Sequence, residues 1–401
     1  MRNKLVKEAV TLSSCPSLSS TSISSRSCVP DLKLQPTVCK FSVRLPVSGV
    51  RLSFPSPMTK PGSVKVVEVR RVAPKPSLPP NSAHPEDLSL PLTFFDLRWL
   101  RFPPPQHLFF YNMPSFDTSH FFDSVLPKLK TSLSATLQHF VPLAGNLIWL
   151  LDSPKPLLSY IKGDAVSLTI AESDADFHRL ISSNNFNIEA KEYHPLVPQL
   201  AASQDKAAVL ALQITVFPKD GFSIGSAMHH AACDGLSAIS FLKFWGHFCK
   251  HGEGGGLPPL PSHNKKVIKD PSGLQAIYSN EWLRLGGPNN RSLMLLEARG
   301  PGDGIRGTFE FTRAKIEMLR RVMRIMMAKK KEQADHSKLL HLSTYLLTCA
   351  YTWVCLVWAE AIKTEKVLFM IRPSSTTNLF RELQDIELLQ KQNAYWEKMD
   401  C

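Results

Sequence analysis

AVLALQITVFPKDGFSIGSAMHHAACDGLSAISFLKFWGHFCK, residues 208–250, decides how the chain reads. Two apolar runs, 208–217 and 222–229, flank Pro218-Lys219-Asp220-Gly221. Proline presets the turn dihedral and glycine tolerates positive φ, so the spacing predicts a β-hairpin. The second run leads straight into His229-His230 and then Asp234-Gly235. Beyond them Leu236, Ile239, Leu242, Trp245 and Cys249 recur every three or four residues, which predicts a helix over 236–250 with that stripe buried. The histidines therefore stand at a strand-to-helix junction, where side chains commonly project into a cleft.

An HxxxD spacing by itself is weak in a chain with 13 histidines. The small-residue strand before it, the glycine after it and the helix beyond sharpen it. A neutral imidazole can accept the proton of an alcohol or amine as that group attacks a thioester. His230 is the candidate base, and His229 a packed neighbour. Cys233 reads as a small apolar filler, because no base or orienting acid accompanies it. Adjacent histidines on a strand point to opposite faces, so His229, His230 and Asp234 make a poor ligand set and no metal is expected there.

Working outward toward the N-terminus, Phe121–Val141 places Leu126, Leu129, Leu133, Leu137 and Phe140 on one helical stripe, closed by Pro142. Leu92–Leu97 and Leu108–Tyr111 read as short strands, and Val64–Val69 as a further strand. Residues 1–60 hold nine Lys/Arg against Glu8 and Asp31 and are rich in Ser and Pro. They read as a disordered or transit-like extension, with Met58 as an alternative start. Toward the C-terminus, residues 251–275 are rich in Gly, Pro and Lys and read as a crossover linker. Gly307–Phe311 suggests a strand, and Thr312 a cap for a helix over Arg313–Lys330 with Ile316, Leu319, Met323 and Met326 inward. The 18 uncharged residues Leu342–Ala359 include four Ser/Thr and read as a buried helix rather than a membrane span.

The chain has 401 residues, 43% hydrophobic and 20% charged, enough for two globular domains. Its net charge of +13 suits an anionic ligand without identifying one, and no nucleic-acid motif accompanies it. Eight cysteines without a CxxC pair read as free thiols in a reducing compartment.

These segments resemble the BAHD family of plant acyl-CoA-dependent acyltransferases, in particular the branch acting on phenolic glucosides and anthocyanins. The resemblance rests on HHAACDG (229–235), Leu97-Arg98-Trp99-Leu100 with Leu108-Phe109-Phe110-Tyr111, and the stretch LPKLKTSLSATLQHFVPLAGNL from Leu126. Asp164–Phe177, Leu212–Gly225, Asn290–Leu295, Ile305–Phe309 and His341–Val357 extend it, so that it covers roughly 64–369. It implies an α/β fold of two chloramphenicol-acetyltransferase-like domains: 61–250 the N-terminal one and 276–369 a partial C-terminal one. It also implies direct attack of a hydroxyl on acyl-CoA in a ternary complex. The family's catalytic histidine falls on His230. Its aspartate falls on Asp234, which supports the loop through an arginine, with Arg306 as candidate partner. Gly235 would permit the tight backbone after the loop. No cofactor is implied; acyl-CoA, with malonyl-CoA first in line, is a co-substrate and a small phenolic or glycoside the acceptor. A cytoplasmic monomer binding neither nucleic acid nor membrane is expected, or a plastid protein if 1–60 is a transit peptide. After Phe369 the family's Tyr-Phe-Gly-Asn-Cys and DFGWG segments do not follow, and Met370–Cys401 reads as an aberrant helical tail. The second domain is therefore expected to be incomplete, and the alternative reading is a catalytically inactive fragment that acts by binding or has no function.

Overall fold

The hairpin forms where the spacing puts it. In the computed structural model of the protein the described residues are 6–12, 39–45, 62–76, 87–113, 115–181, 188–296, 305–331 and 342–359. Most of 1–60 and all of 370–401 lie outside them, and with them the expectations made for the tail and for Met58. Two seven-residue strands, Val6–Leu12 and Cys39–Leu45, do lie within 1–60, where no strand was expected. Cys39, Phe41, Val43 and Leu45 alternate with polar residues in the second of them, a period-two signal diluted by the serine-rich surroundings.

The main sheet has six strands: β1 (Val6–Leu12), β2 (Val64–Val72), β3 (Gln106–Asn112), β4 (Val166–Ser173), β5 (Leu210–Phe217) and β6 (Gly221–Met228). They lie in the order β1-β3-β6-β5-β4-β2, antiparallel except for the parallel β5/β4 pair. Every residue of β5 and β6 is buried, which explains why these runs read as continuously apolar rather than alternating. One face of the hairpin, with Leu212, Ile214, Val216, Ile224 and Met228, joins the principal core. The opposite face of the sheet meets residues 193–200. A Cβ on Gly225 would lie 2.3 Å from the Leu196 carbonyl oxygen, so glycine lets the 3₁₀ turn His194–Leu196 rest on the strand.

Helices complete the layer: α1 (Phe94–Leu97), α2 (Leu126–His139), α3 (Gly235–His251) and α4 (Leu274–Arg284). The predicted strand at Leu92–Leu97 is instead α1. Thr93 donates its backbone N–H to Asp96 Oδ2 at 2.7 Å and its hydroxyl to the same oxygen at 2.8 Å, a capping arrangement that starts a helix. The strand lies upstream at Asp87–Pro91, in a second sheet ordered Lys206–Ala208, Asn146–Ile148, Leu157–Ile161, Asp87–Pro91. Helix α2 buries Leu126, Leu133 and Leu137 as expected and enters through a π-helical turn at Phe121–Val125. Helix α3 buries Ala238, Phe241, Phe244, Trp245 and Phe248, whereas Leu236 is exposed. The expected stripe was out of phase because α3 is apolar on most sides. Packing settles the phase: Phe241 and Phe244 meet the edge of Phe140.

The chain groups into two compact units, 1–35 with 39–310 and 36–38 with 311–401. Residues 276–310, expected in the second domain, thus group with the first. Arg101, 3% exposed, shows why. Its guanidinium donates to the carbonyls of Ser292 (2.7 Å), Leu285 (3.2 Å) and Asn290 (2.8 Å), and Trp282 Nε1 donates to Leu97 O at 2.6 Å. In the second unit α5 (Arg313–Lys331) turns Ile316, Leu319 and Met326 inward, with Thr312 Oγ1 accepting from Lys315 N–H at 3.3 Å. Helix α6 (Thr344–Ala359) follows, with Leu347, Thr348 and Cys349 buried. No helix among the described residues is long and apolar enough to cross a membrane.

Candidate active site

The chain leaves β6 at Met228 and turns sharply. His229 N–H donates to Val209 O at 2.8 Å, and His229 O accepts from the N–H groups of Ala232 (2.9 Å) and Cys233 (3.2 Å). Asp234 then adopts an extended conformation and caps α3, its Oδ1 accepting from Ser237 N–H at 2.8 Å. A strand end and a helix start, fixed independently, thus hold the six residues 229–234, His230 among them.

His230 is half-buried, its ring stacked on the indole of Trp99 with centroids 4.1 Å apart and planes 7° from parallel. Trp99 is itself braced edge-on by Phe102 at 5.3 Å, and the Arg98 guanidinium lies 5.8 Å from its centroid. Stacking covers an imidazole face and leaves both nitrogens on the rim. Nδ1 is enclosed without a hydrogen-bond partner among the described residues. Burial pulls the His230 pKa below 6.5, opposed by its own backbone carbonyl and by the Asp234 charge, so the ring is neutral at pH 7.

His229 is fully buried; its Nδ1 accepts from Ala231 N–H at 3.3 Å, and burial pushes its pKa down to about 4. It is packed into the core beside His230. Cys233 is 3% exposed and burial raises its thiol far from thiolate formation, in keeping with an apolar filler. Asp234 is exposed and makes no ion pair among the described residues. Among the described residues it supports the loop as a helix cap. Arg306 lies on the strand Ile305–Phe311, paired with Ile188, but its side chain lies outside the described part of the structure.

Gly235 does not have the role expected of it. It is the first residue of α3, its φ is not positive, and a Cβ there would meet nothing within 4 Å. Gly235→Ala is therefore expected to leave stability unchanged or to raise it by ~0.4–1 kcal/mol, read from urea denaturation. The sequence reading also passed over Trp99, whose 131-residue separation from His230 no local pattern signals.

Two histidines on the hairpin side make stability pH-dependent. His107 (6% exposed, opposite Ser226 across β3/β6) and His229 both have pKa values near 4 through burial. The unfolded chain, with histidines near 6.5, binds more protons between these limits, so stability rises with pH through this window. It is fully present above pH 6.5 and lost as pH falls toward 4. Denaturation at pH 5 is expected to show ~2 kcal/mol less stability per histidine than at pH 7, with His107→Gln removing about half the difference.

The sequence model of the transferase family matches residues 71–373. Phenolic glucoside malonyltransferase 1 of Arabidopsis thaliana is 41% identical over 316 residues, 74% of this chain and 64% of that protein. Malonyl-CoA:anthocyanidin 5-O-glucoside-6''-O-malonyltransferase of the same plant is 40% identical over 300 residues, 74% of this chain and 62% of that protein. A BAHD acyltransferase, also from Arabidopsis thaliana, is 41% identical over 299 residues, with 74% and 63% covered. The chain thus spans less than two thirds of the length of these relatives. Among solved structures, vinorine synthase aligns with a TM-score of 0.45 and 21% identity over 73% of this chain and 59% of that one.

Proposed function

The chain belongs to the BAHD transferase family, and from that premise we propose that it transfers an acyl group from acyl-CoA to a hydroxyl, with His230 as general base. The observation that carries this reading is the His230 ring: half-buried, set between a strand end and a capped helix, stacked on Trp99, and held with a lowered pKa by burial. In the proposed step Nε2 takes the proton of the acceptor hydroxyl as that oxygen attacks the thioester carbonyl. The C–S bond breaks, and the proton passes to the departing thiolate of CoA. No covalent acyl-enzyme is needed, and Cys233 is buried beyond such use. Asp234 acts as a support: as the cap it fixes where α3 begins and so where His230 sits.

The names of the relatives favour malonyl-CoA as donor and a phenolic or flavonoid glucoside as acceptor. Arg306 as a further support of the loop, a monomeric state and a cytoplasmic location belong to the same proposal. Neither a metal nor another cofactor enters the step. The test is incubation of the purified chain with malonyl-CoA and flavonoid glucosides, scored by release of CoA and by mass of the product. Malonylated glucoside formed by the chain and lost in His230→Ala supports the proposal. Product formed equally by both overturns it, and so does the absence of turnover with every acyl-CoA and acceptor offered, which would mark a binding protein.

A further inference from the structure

Histidines outside the catalytic loop gather at the end of α3. His247 and His251 are one helical turn apart, so their side chains leave the same face. Their ring centroids are 4.9 Å apart and the planes are inclined by 40°. Nε2 of His247 is enclosed yet has no hydrogen-bond partner among the described residues. The chain folds back over the pair: Gly252 has φ +62°, a 3₁₀ turn runs Gly252–Gly254, and Gly255 comes to rest against both rings. A Cβ on Gly255 would stand 3.2 Å from His247 Nε2 and 2.7 Å from His251 Cβ, so only glycine leaves this small space unfilled.

We propose that His247 and His251 form a two-imidazole site for a borderline divalent ion of the Cu2+, Ni2+ or Zn2+ class. Imidazole nitrogen is the ligand such ions favour, and two of them at i and i+4 on one helix can reach a single ion. His251 is exposed, so its ring can turn to set a nitrogen beside His247 Nε2. The carboxylate nearest in sequence, Glu253, is held by Lys75 Nζ at 2.5 Å. No group of three or more His, Cys, Asp or Glu side chains arranged for a metal occurs among the described residues, so water fills the remaining coordination positions. An ion held there cross-links His247 and His251 over the last turn of α3.

Titration of the full chain with CuCl2, followed by calorimetry and by electron paramagnetic resonance, tests the site. One tight equivalent with hyperfine structure from two nitrogens is expected. His247→Gln and His251→Gln are each expected to weaken it by about tenfold or more, since loss of an outer-sphere partner alone costs about 10–100-fold. Zn2+ should compete for the same equivalent. Because His251 is exposed, His251→Gln keeps the near-ultraviolet circular dichroism of the parent. Retention of the tightest equivalent in either variant overturns the proposal.

Discussion

Replacement of His230 by alanine is expected to lower kcat for malonyl transfer by ~10²–10⁴-fold while leaving KM for malonyl-CoA little changed. The split follows from the proposed role. A base acts as the proton moves, so its loss is felt in the transition state and not in substrate capture. The pH profile supplies a second readout. His230 must be unprotonated to work, and burial lowers its pKa, so activity is retained below pH 6.5 and falls as pH drops through the lowered value. A His230→Ala enzyme with unaltered kcat, measured under saturating substrates, would remove the imidazole from the mechanism.

Arg101→Met is expected to destabilise the protein by ~3–5 kcal/mol, measured by urea denaturation monitored by tryptophan fluorescence. Arg101 has no carboxylate partner among the described residues; three backbone carbonyls and the face of Trp282, 5.4 Å from the guanidinium, meet its charge. Hydrogen bonds from a charged donor are worth ~1.5–3 kcal/mol each, and their loss here leaves the Ser292 and Asn290 carbonyls without a donor, while Leu285 O keeps the Asn290 amide at 2.6 Å. Methionine fills the same space with apolar atoms, so the loss is of polar contacts and not of volume. Arg101→Lys should recover only part of the loss, because an ammonium lacks the planar fork that reaches three carbonyls at once. Since total stability is commonly ~5–15 kcal/mol, the change is a large fraction of it. A change below about 1 kcal/mol would show that residues 285–293 are held by apolar burial, such as that of Leu293, and not by the guanidinium.

Elements with a strong local period were legible. The hairpin appeared from its proline–glycine turn and apolar flanks, and the helices at 126–139 and 313–331 from leucine, isoleucine and methionine stripes. The junction carrying His230 was legible too, because a strand, a small-residue loop and a helix follow one another directly. What failed did so for definable reasons. Leu92–Leu97 looked extended by composition, but one Thr93–Asp96 contact commits it to a helix. The face of α3 could not be phased from a segment with phenylalanine at 241, 244 and 248 and leucine at 236 and 242. Trp99 and Arg101 owe their roles to partners 131 and 184–191 residues away, distances over which only the folded chain brings side chains together.

The parallel contact between Trp99 and His230 matters most at the moment the imidazole ceases to be neutral. Once the ring has taken a proton, a cation rests 4.1 Å above an indole whose π-face is electron-rich. Such a contact is worth ~0.5–2 kcal/mol, or about two- to thirtyfold in an equilibrium. The tryptophan is thereby matched to the charged intermediate more than to the resting base, and an aliphatic side chain of equal bulk would fill its place without supplying that attraction.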